Sequence, residues 1–303
     1  MIKLNHCPCC EAPVGRHYPA VLAPFIRERL GPSAPLTTTL AECERCGFRF
    51  FGDRYEPGEA AAIYAGYRDE RYFKQRHRHE LWYTRSLNQA LGSDEEASRR
   101  NSRLEAFLKD AGVLPQARSV LDWGGDRGQF IPGCFTEKFV HDISGVAPDP
   151  GVTAVGADRV RSRSYDLVIA AHVIEHASDP GAVVRELRSI DASWWYVEVP
   201  FEPLRLLRRL QESRLQRLWV ERAARSQIYS IVALMSAVAR VKGRALPPMG
   251  ILQQHEHLNY FDAETLRKLL ERAGFRVVRI TEWASGRWLR RVEAIGVLAV
   301  PSR

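Results

Sequence analysis

Apolar and polar positions change rhythm near residue 118. Beyond it, short apolar runs end at acidic or proline positions and alternate with amphipathic stretches. The runs at 119–122, 138–142, 164–171 and 194–200 read as strands. The run at 164–171 is apolar almost throughout, as expected of a strand buried on both faces. Asp179 followed by Pro180 marks a helix start, with the acid as N-cap and proline in the first position. Asp262 opens a further amphipathic helix, which Gly274 ends. Two strands follow, at 276–281 and 292–300. Earlier in the chain, residues 57–112 read as helices. Ser93 or Asp94 caps a helix running to Lys109, stopped by Gly112 and Pro115. Between 201 and 254, Leu204, Leu207, Leu210, Leu215, Leu218 and Trp219 recur at near-helical spacing with arginines between them. The expected organisation is a small module over 1–56, a helical bridge or cap over 57–115, and an α/β domain over 116–303 with a helical insertion at 201–254.

Composition narrows this reading. A chain of 303 residues buries one full core with room for a small module. The start carries no long apolar segment of the secretory kind. The longest apolar-rich run, 228–241, is interrupted by Ser230, Ser236 and Arg240 and falls short of the ~20 residues that span a bilayer. A cytoplasmic protein is expected, in which paired cysteines are metal ligands before they are disulfides. Net charge is +8. Residues 201–250 hold most of that excess, with ten basic against three acidic side chains. Such a segment meets phosphates, an anionic membrane surface or nucleic acid, or is simply a solvated helix face.

The module at 1–56 carries Cys7, Cys9 and Cys10, then Cys43 and Cys46, with Gly47 and aromatic residues following. Cys7, Cys10, Cys43 and Cys46 form two Cys-x-x-Cys knuckles whose thiolates suit tetrahedral zinc in a ribbon-like module. With all four positions filled by sulfur, such a site is structural. Cys9 is a spare that stands in for either neighbour, and His6 is a weaker substitute. A reduced metal-free cluster and redox chemistry are the alternatives. The gap between the knuckles calls for an inserted loop or helix at 19–30, and Cys134 is expected to be a lone buried thiol. In the helical bridge, Tyr64, Tyr67, Tyr72, Phe73, Trp82 and Tyr83 interleave with Arg68, Arg71, Lys74, Arg76 and Arg78. They either grip a ring and phosphates or dock one domain on the next.

The segment Ser119-Val-Leu-Asp-Trp-Gly-Gly-Asp-Arg-Gly-Gln-Phe130 joins a strand to a helix through glycines that allow backbone to approach a ligand. Asp142 ends the next strand twenty residues after Asp122, where doubly wound folds place an acid on ribose hydroxyls. With Tyr165-Asp-Leu-Val168 and Ile174-Glu-His-Ala-Ser-Asp-Pro180, this set resembles class I S-adenosylmethionine-dependent methyltransferases. The helix 263–273 and the two last strands agree. The resemblance covers about 118–300. It implies a Rossmann-like seven-stranded sheet with an antiparallel hairpin at its edge. It also implies an S-adenosylmethionine cofactor, released as S-adenosylhomocysteine. Asp122, Gly124, Gly125, Asp126 and Gly128 would then hold the methionine moiety, and Asp142 the ribose. Asp158 would meet the adenine edge or be a surface acid. His172 would lie where the methyl group emerges. The sequence departs from the family pattern at Asp126, which replaces the central glycine of the loop. Its carboxylate either repels the cofactor's carboxylate or pairs with its amino group, and Arg127 is expected to supply compensating charge.

The insertion ends in Gln254-His-Glu-His257 followed by Leu-Asn-Tyr-Phe261. This is similar to a stretch of zinc-containing sugar C-methyltransferases that act on nucleotide-linked keto sugars, with Gln254 in place of their tyrosine. The resemblance implies a sugar acceptor, nucleotide- or lipid-linked or part of a polysaccharide, methylated at oxygen or carbon. His257 or His172 is the expected base and Glu256 the group that orients it or holds a hydroxyl. His255 and His257 as a second metal pair is an alternative. Other readings are an RNA methyltransferase that grips phosphates through the zinc module and the basic insertion, peripheral membrane contact through 201–250, and a non-catalytic scaffold.

Overall fold

Apolar runs from 119 onward assemble into a seven-stranded sheet in the computed structural model, which describes residues 1–67, 69–202, 214–225, 252–285 and 291–302, without the side chains of 214–217, 224, 285 and 291. The strand order is Phe275–Ser285, Arg291–Pro301, Asp191–Pro200, Ser164–Ala171, Ser119–Trp123, Glu137–His141 and Val152–Ala154. The last five in this order are parallel to one another. Arg291–Pro301 runs antiparallel to both of its neighbours. This is the sheet expected from the sequence, with the antiparallel hairpin at its edge.

The central strands are buried on both faces, so apolar residues run through them without alternation. The helix Asp94–Asp110 turns Leu104, Phe107 and Leu108 onto this sheet, where they join Val120, Leu167, Ile169, Tyr196 and Leu298 in one core. Ser93 Oγ caps it by accepting the Glu96 N–H at 3.3 Å. Helices Pro180–Arg188 and Ala263–Arg272 begin at the expected caps, Asp179 and Asp262. Cys134 is exposed, not buried, because it follows Gly133 in the turn that leads to Phe135.

The chain divides into two units, one of 1–88 with 202–260, the other of 89–201 with 261–303. The division differs from the expected three-part order. The boundary falls inside the segment read as a bridge, and the described residues 202, 214–225 and 252–254 of the segment read as an insertion group with the N-terminal residues. In this first unit a five-stranded sheet has the order Leu252–Gln254, Arg16–Leu22, Thr37–Glu42, Arg49–Phe51, Asn259–Tyr260. Both of its edges thus come from residues two hundred positions downstream of its centre. Of the stretch 19–30, expected as an inserted loop or helix, Pro24–Leu30 is a helix, while 19–22 end the strand Arg16–Leu22.

Of the aromatic series, Tyr64 lies in the helix Pro57–Tyr64 and Tyr72 and Phe73 in the helix Glu70–His79, while Tyr67, Trp82 and Tyr83 stand in turns after them. Tyr72, Phe73 and Tyr83 are buried in the first unit, whereas Tyr67 is exposed. Tyr72 stands edge-on to Phe25 with ring centroids 5.1 Å apart, and the Arg76 guanidinium lies 4.3 Å from the Tyr83 ring centre. Of the 201–254 segment, Leu204, Leu207 and Leu210, the arginines at 205, 208, 209, 240 and 244 and Lys242 lie outside the described residues, as do the side chains of Arg214, Leu215 and Arg217. So does Arg68. The helix Arg214–Arg225 is described; Trp219 packs with Val220 and Ala223 against Val21, while Leu218 is exposed. Among the described residues no helix is long and apolar enough to cross a membrane.

Candidate active site

The first parallel strand ends at a loop whose backbone is arranged around one carboxylate. Asp122 is 2 % exposed, and its Oδ2 has no hydrogen-bond partner among the described residues. Gly125 passes so close that an added Cβ would sit 2.2 Å from that carboxylate. Gly124 has φ +75°, and a Cβ there would meet Val173 Cγ2 at 2.7 Å. Both positions therefore exclude a side chain. Asp126 stands in the left-handed region with φ 56°, which aspartate tolerates better than most residues. Its N–H donates to Asp142 Oδ2 at 2.9 Å, and its Oδ2 accepts Gln129 Nε2 at 3.3 Å. The loop thus keeps its turn without the central glycine. Burial pushes Asp122 up to about 7, with Arg100 opposing the rise and Asp142 and Asp126 adding to it. Arg127 does not supply the expected compensation: its Nη1 pairs with Asp149 at 3.3 Å.

Asp142 is the first residue beyond the strand Glu137–His141. Besides Asp126 it accepts the Ser144 N–H, through Oδ1 at 2.7 Å. Next to it, Ile143 is 98 % exposed. Sequence reasoning passed over Ile143, although an apolar residue directly after a strand-end acid was a legible signal. Asp158 is exposed in the short helix Ala157–Val160.

At the end of Ser164–Ala171, His172 adopts φ 59° and its N–H donates to the Glu198 carbonyl at 2.9 Å. Both ring nitrogens face carboxylates: Nε2 lies 3.2 Å from Glu198 Oε1, and Nδ1 lies 3.4 Å from Glu175 Oε1. Burial lowers the pKa of His172, but hydrogen bonds to Glu175 and Glu198 outweigh it and raise the ring above its ordinary value. Glu198 is 3 % exposed. Arg103 donates to it at 2.9 Å, Arg100 stands at 3.5 Å, and the Tyr196 hydroxyl donates to Oε2. Trp283 Nε1 donates in turn to Tyr196 Oη at 2.9 Å. Burial alone would raise Glu198; the bond and charge of His172 and the two arginines reverse that and bring it to about 2. An imidazole placed between two carboxylates is held as the cation, donating from both nitrogens.

The first unit holds the other predicted residues. Glu256 is buried, accepting Arg76 Nη1 at 2.8 Å and the Tyr72 hydroxyl at 3.0 Å. Burial, the largest single influence, raises its pKa, but Arg76, His255 and a backbone hydrogen bond together outweigh it and the net shift is downward. His255 Nδ1 stands 3.0 Å from Glu80, which also receives Arg76 Nε at 2.9 Å. Gln254 is fully buried between Thr38 and the Asp53 carbonyl. His257 keeps a partly exposed ring, and its Nδ1 lies 2.6 Å from Glu202 Oε1. Glu202 was missed in the sequence because it is 55 residues away, at the start of a basic segment. The sulfurs of Cys7, Cys10, Cys43 and Cys46 lie within 4.8 Å of one another, with Cys7–Cys46 at 3.6 Å and Cys10–Cys43 at 3.5 Å. Four sulfurs at ~2.3 Å from one tetrahedral ion stand about 3.8 Å apart, so the donor set and its spacing fit zinc.

The sheet, its antiparallel edge and the glycine loop at the carboxyl end of its first strand define the S-adenosylmethionine-dependent methyltransferase fold. The sequence matches the family model described as "Methyltransferase domain" over residues 94–280, more than half of the chain, and the protein belongs to that family of enzymes. Among solved structures, it is similar to 1,6-didemethyltoxoflavin-N1-methyltransferase of Burkholderia thailandensis with bound 1,6-didemethyltoxoflavin and S-adenosylhomocysteine. That match has 13 % identity and TM-score 0.45 and covers 88 % of this chain and 96 % of that one. It is also similar to magnesium protoporphyrin IX methyltransferase of Synechocystis PCC 6803 with bound S-adenosylhomocysteine, at 15 % identity, TM-score 0.42, and 79 % and 99 % coverage. A third is the N-terminal domain of EvdMO1 in the presence of S-adenosylhomocysteine and D-fucose, at 13 % identity, TM-score 0.34, and 67 % and 83 % coverage. No curated protein matches the sequence.

Proposed function

We propose that the protein transfers a methyl group from S-adenosylmethionine to an oxygen or carbon of a small sugar acceptor, nucleotide- or lipid-linked. The observation that carries the donor site is the buried, unpartnered Asp122 carboxylate oxygen beside side-chain-free Gly125. A buried polar atom without a partner is costly, and a ligand's ammonium group would satisfy it. In this reading Asp122 and the backbone of Gly124 to Gly128 hold the methionine end. Asp142 accepts from ribose hydroxyls, and Ile143 gains apolar cover from the purine. The resemblance of 254–261 to sugar methyltransferases supports the acceptor class.

When bound, S-adenosylmethionine supplies a methyl group carried on a sulfonium. The residues then have to align the acceptor and take its proton. His257 is the proposed general base: Glu202 stands 2.6 Å from its Nδ1, as a carboxylate that orients a base does. His172, bonded at both nitrogens, is suited to hold charge and shape at the end of its strand. Glu256, tied to Arg76 and Tyr72, positions its neighbour His257 through the backbone. The four cysteines are proposed to hold structural zinc, and their free thiols suit a cytoplasmic location.

Titration calorimetry with S-adenosylhomocysteine tests the donor site. Binding should be measurable and about tenfold weaker in Asp142→Ala, a loss of roughly one charge-assisted hydrogen bond. No binding at millimolar ligand ends the reading. Release of S-adenosylhomocysteine on mixing with S-adenosylmethionine and a panel of nucleotide sugars tests the acceptor, and turnover on RNA alone would replace it.

A further inference from the structure

Around the glycine loop, negative charge exceeds what the neighbouring side chains neutralise. Asp142 and Asp126 act electrostatically on Asp122, and Arg100 opposes them there. Arg100 is itself shared, lying 3.5 Å from Glu198. Arg127, next to Asp126 in sequence, is turned to Asp149. The unpartnered oxygen of Asp122, in a residue 2 % exposed, marks this acidic loop as a place prepared for a cation.

S-adenosylmethionine carries an ammonium, a carboxylate and a sulfonium, for a net charge of plus one. S-adenosylhomocysteine lacks the sulfonium and is net neutral. The two ligands otherwise share nearly the same shape, so charge is the property by which a site tells donor from spent product. We propose that Asp126, in the place of the loop's central glycine, is a specificity determinant that favours the charged donor over the neutral product. The inference rests on the donor-site reading above and goes beyond it, since the contacts proposed there to the methionine end and the ribose are common to both ligands. Asp126 is fixed for the role. Its N–H is held by Asp142 and its side chain by Gln129, so its charge is not free to swing away from the loop.

The test uses Asp126→Asn, which keeps the shape and tolerates the same left-handed backbone, and Asp126→Gly, which relieves that backbone. Kd values for S-adenosylmethionine and S-adenosylhomocysteine are measured by calorimetry on the full chain, at about pH 8, where Asp122 is mostly ionised. Below that pH, removing Asp126 would let Asp122 ionise and mask the effect. Both variants should shift the ratio of the two Kd values against the donor by about three- to tenfold, the size of one carboxylate acting through several ångströms of partly hydrated protein. The shift should shrink as salt is raised. A ratio unchanged in both variants, or equal weakening of both ligands, overturns the inference and leaves the donor site standing. Failure of the wild-type protein to bind either ligand overturns both.

Discussion

Glu198 shows how one side chain sets the state of another. Its folded pKa near 2 lies below the ordinary 4.5, so its contribution to stability is present above 4.5 and lost as pH falls through about 2. His172 is raised above 6.5. Its contribution is whole below 6.5 and is lost as pH rises through its folded pKa. Asp122 works against the fold: raised from 3.8 to about 7, it takes stability away as pH climbs between those values. Glu198→Gln should lower the His172 pKa, visible in the titration of its ring protons by NMR, and should cost about 3 kcal/mol in urea denaturation because Arg103 loses a buried partner. An unmoved His172 titration would remove Glu198 from this role. The places of Asp122 and Asp142 at the ends of their strands were legible because an apolar run stops at each acid. Glu202 was not, since nothing local ties it to His257.

Elements of the second unit were legible for a related reason. Strands buried on both faces must be apolar at every position, and helices announce themselves by caps such as Asp179 and Asp262. The strand Arg16–Leu22 was not, because its sheet is closed by Leu252–Gln254, a pairing no local window contains. Packing between strands adds constraints that sequence hides. Gly296 faces Glu198 across the antiparallel pair, and a Cβ there would stand 2.5 Å from the Tyr196 hydroxyl. Tyr196 is buried and bonded to both Glu198 and Trp283, so it has little room to yield. Gly296→Ala should therefore lower stability by about 1–3 kcal/mol, read as a reduced denaturation midpoint. An unchanged midpoint would mean that Tyr196 and Trp283 shift at little cost.

At the scale of the molecule, the sequence announced a sheet for the cofactor and a cysteine module, but not how the chain is shared between units. In the first unit four thiols converge, a donor set that would cross-link distant parts of the chain when a metal is bound. The purified protein should hold about one equivalent of zinc by elemental analysis, and Cys43→Ser should lose it together with thermal stability. Folded protein free of metal would end that proposal.

The division of the chain has a consequence for how it is made. The first unit is left at Asn88 and resumed at Glu202, and the second is completed only by residues from Phe261 onward. Neither can close while its late segment is still inside the ribosome. Through most of translation one edge of Arg16–Leu22 waits without Leu252–Gln254, the strand that pairs with it. An exposed edge of that kind invites pairing with other chains. Early binding of metal by the cysteine knuckles would hold that strand's surroundings in order until the edge arrives.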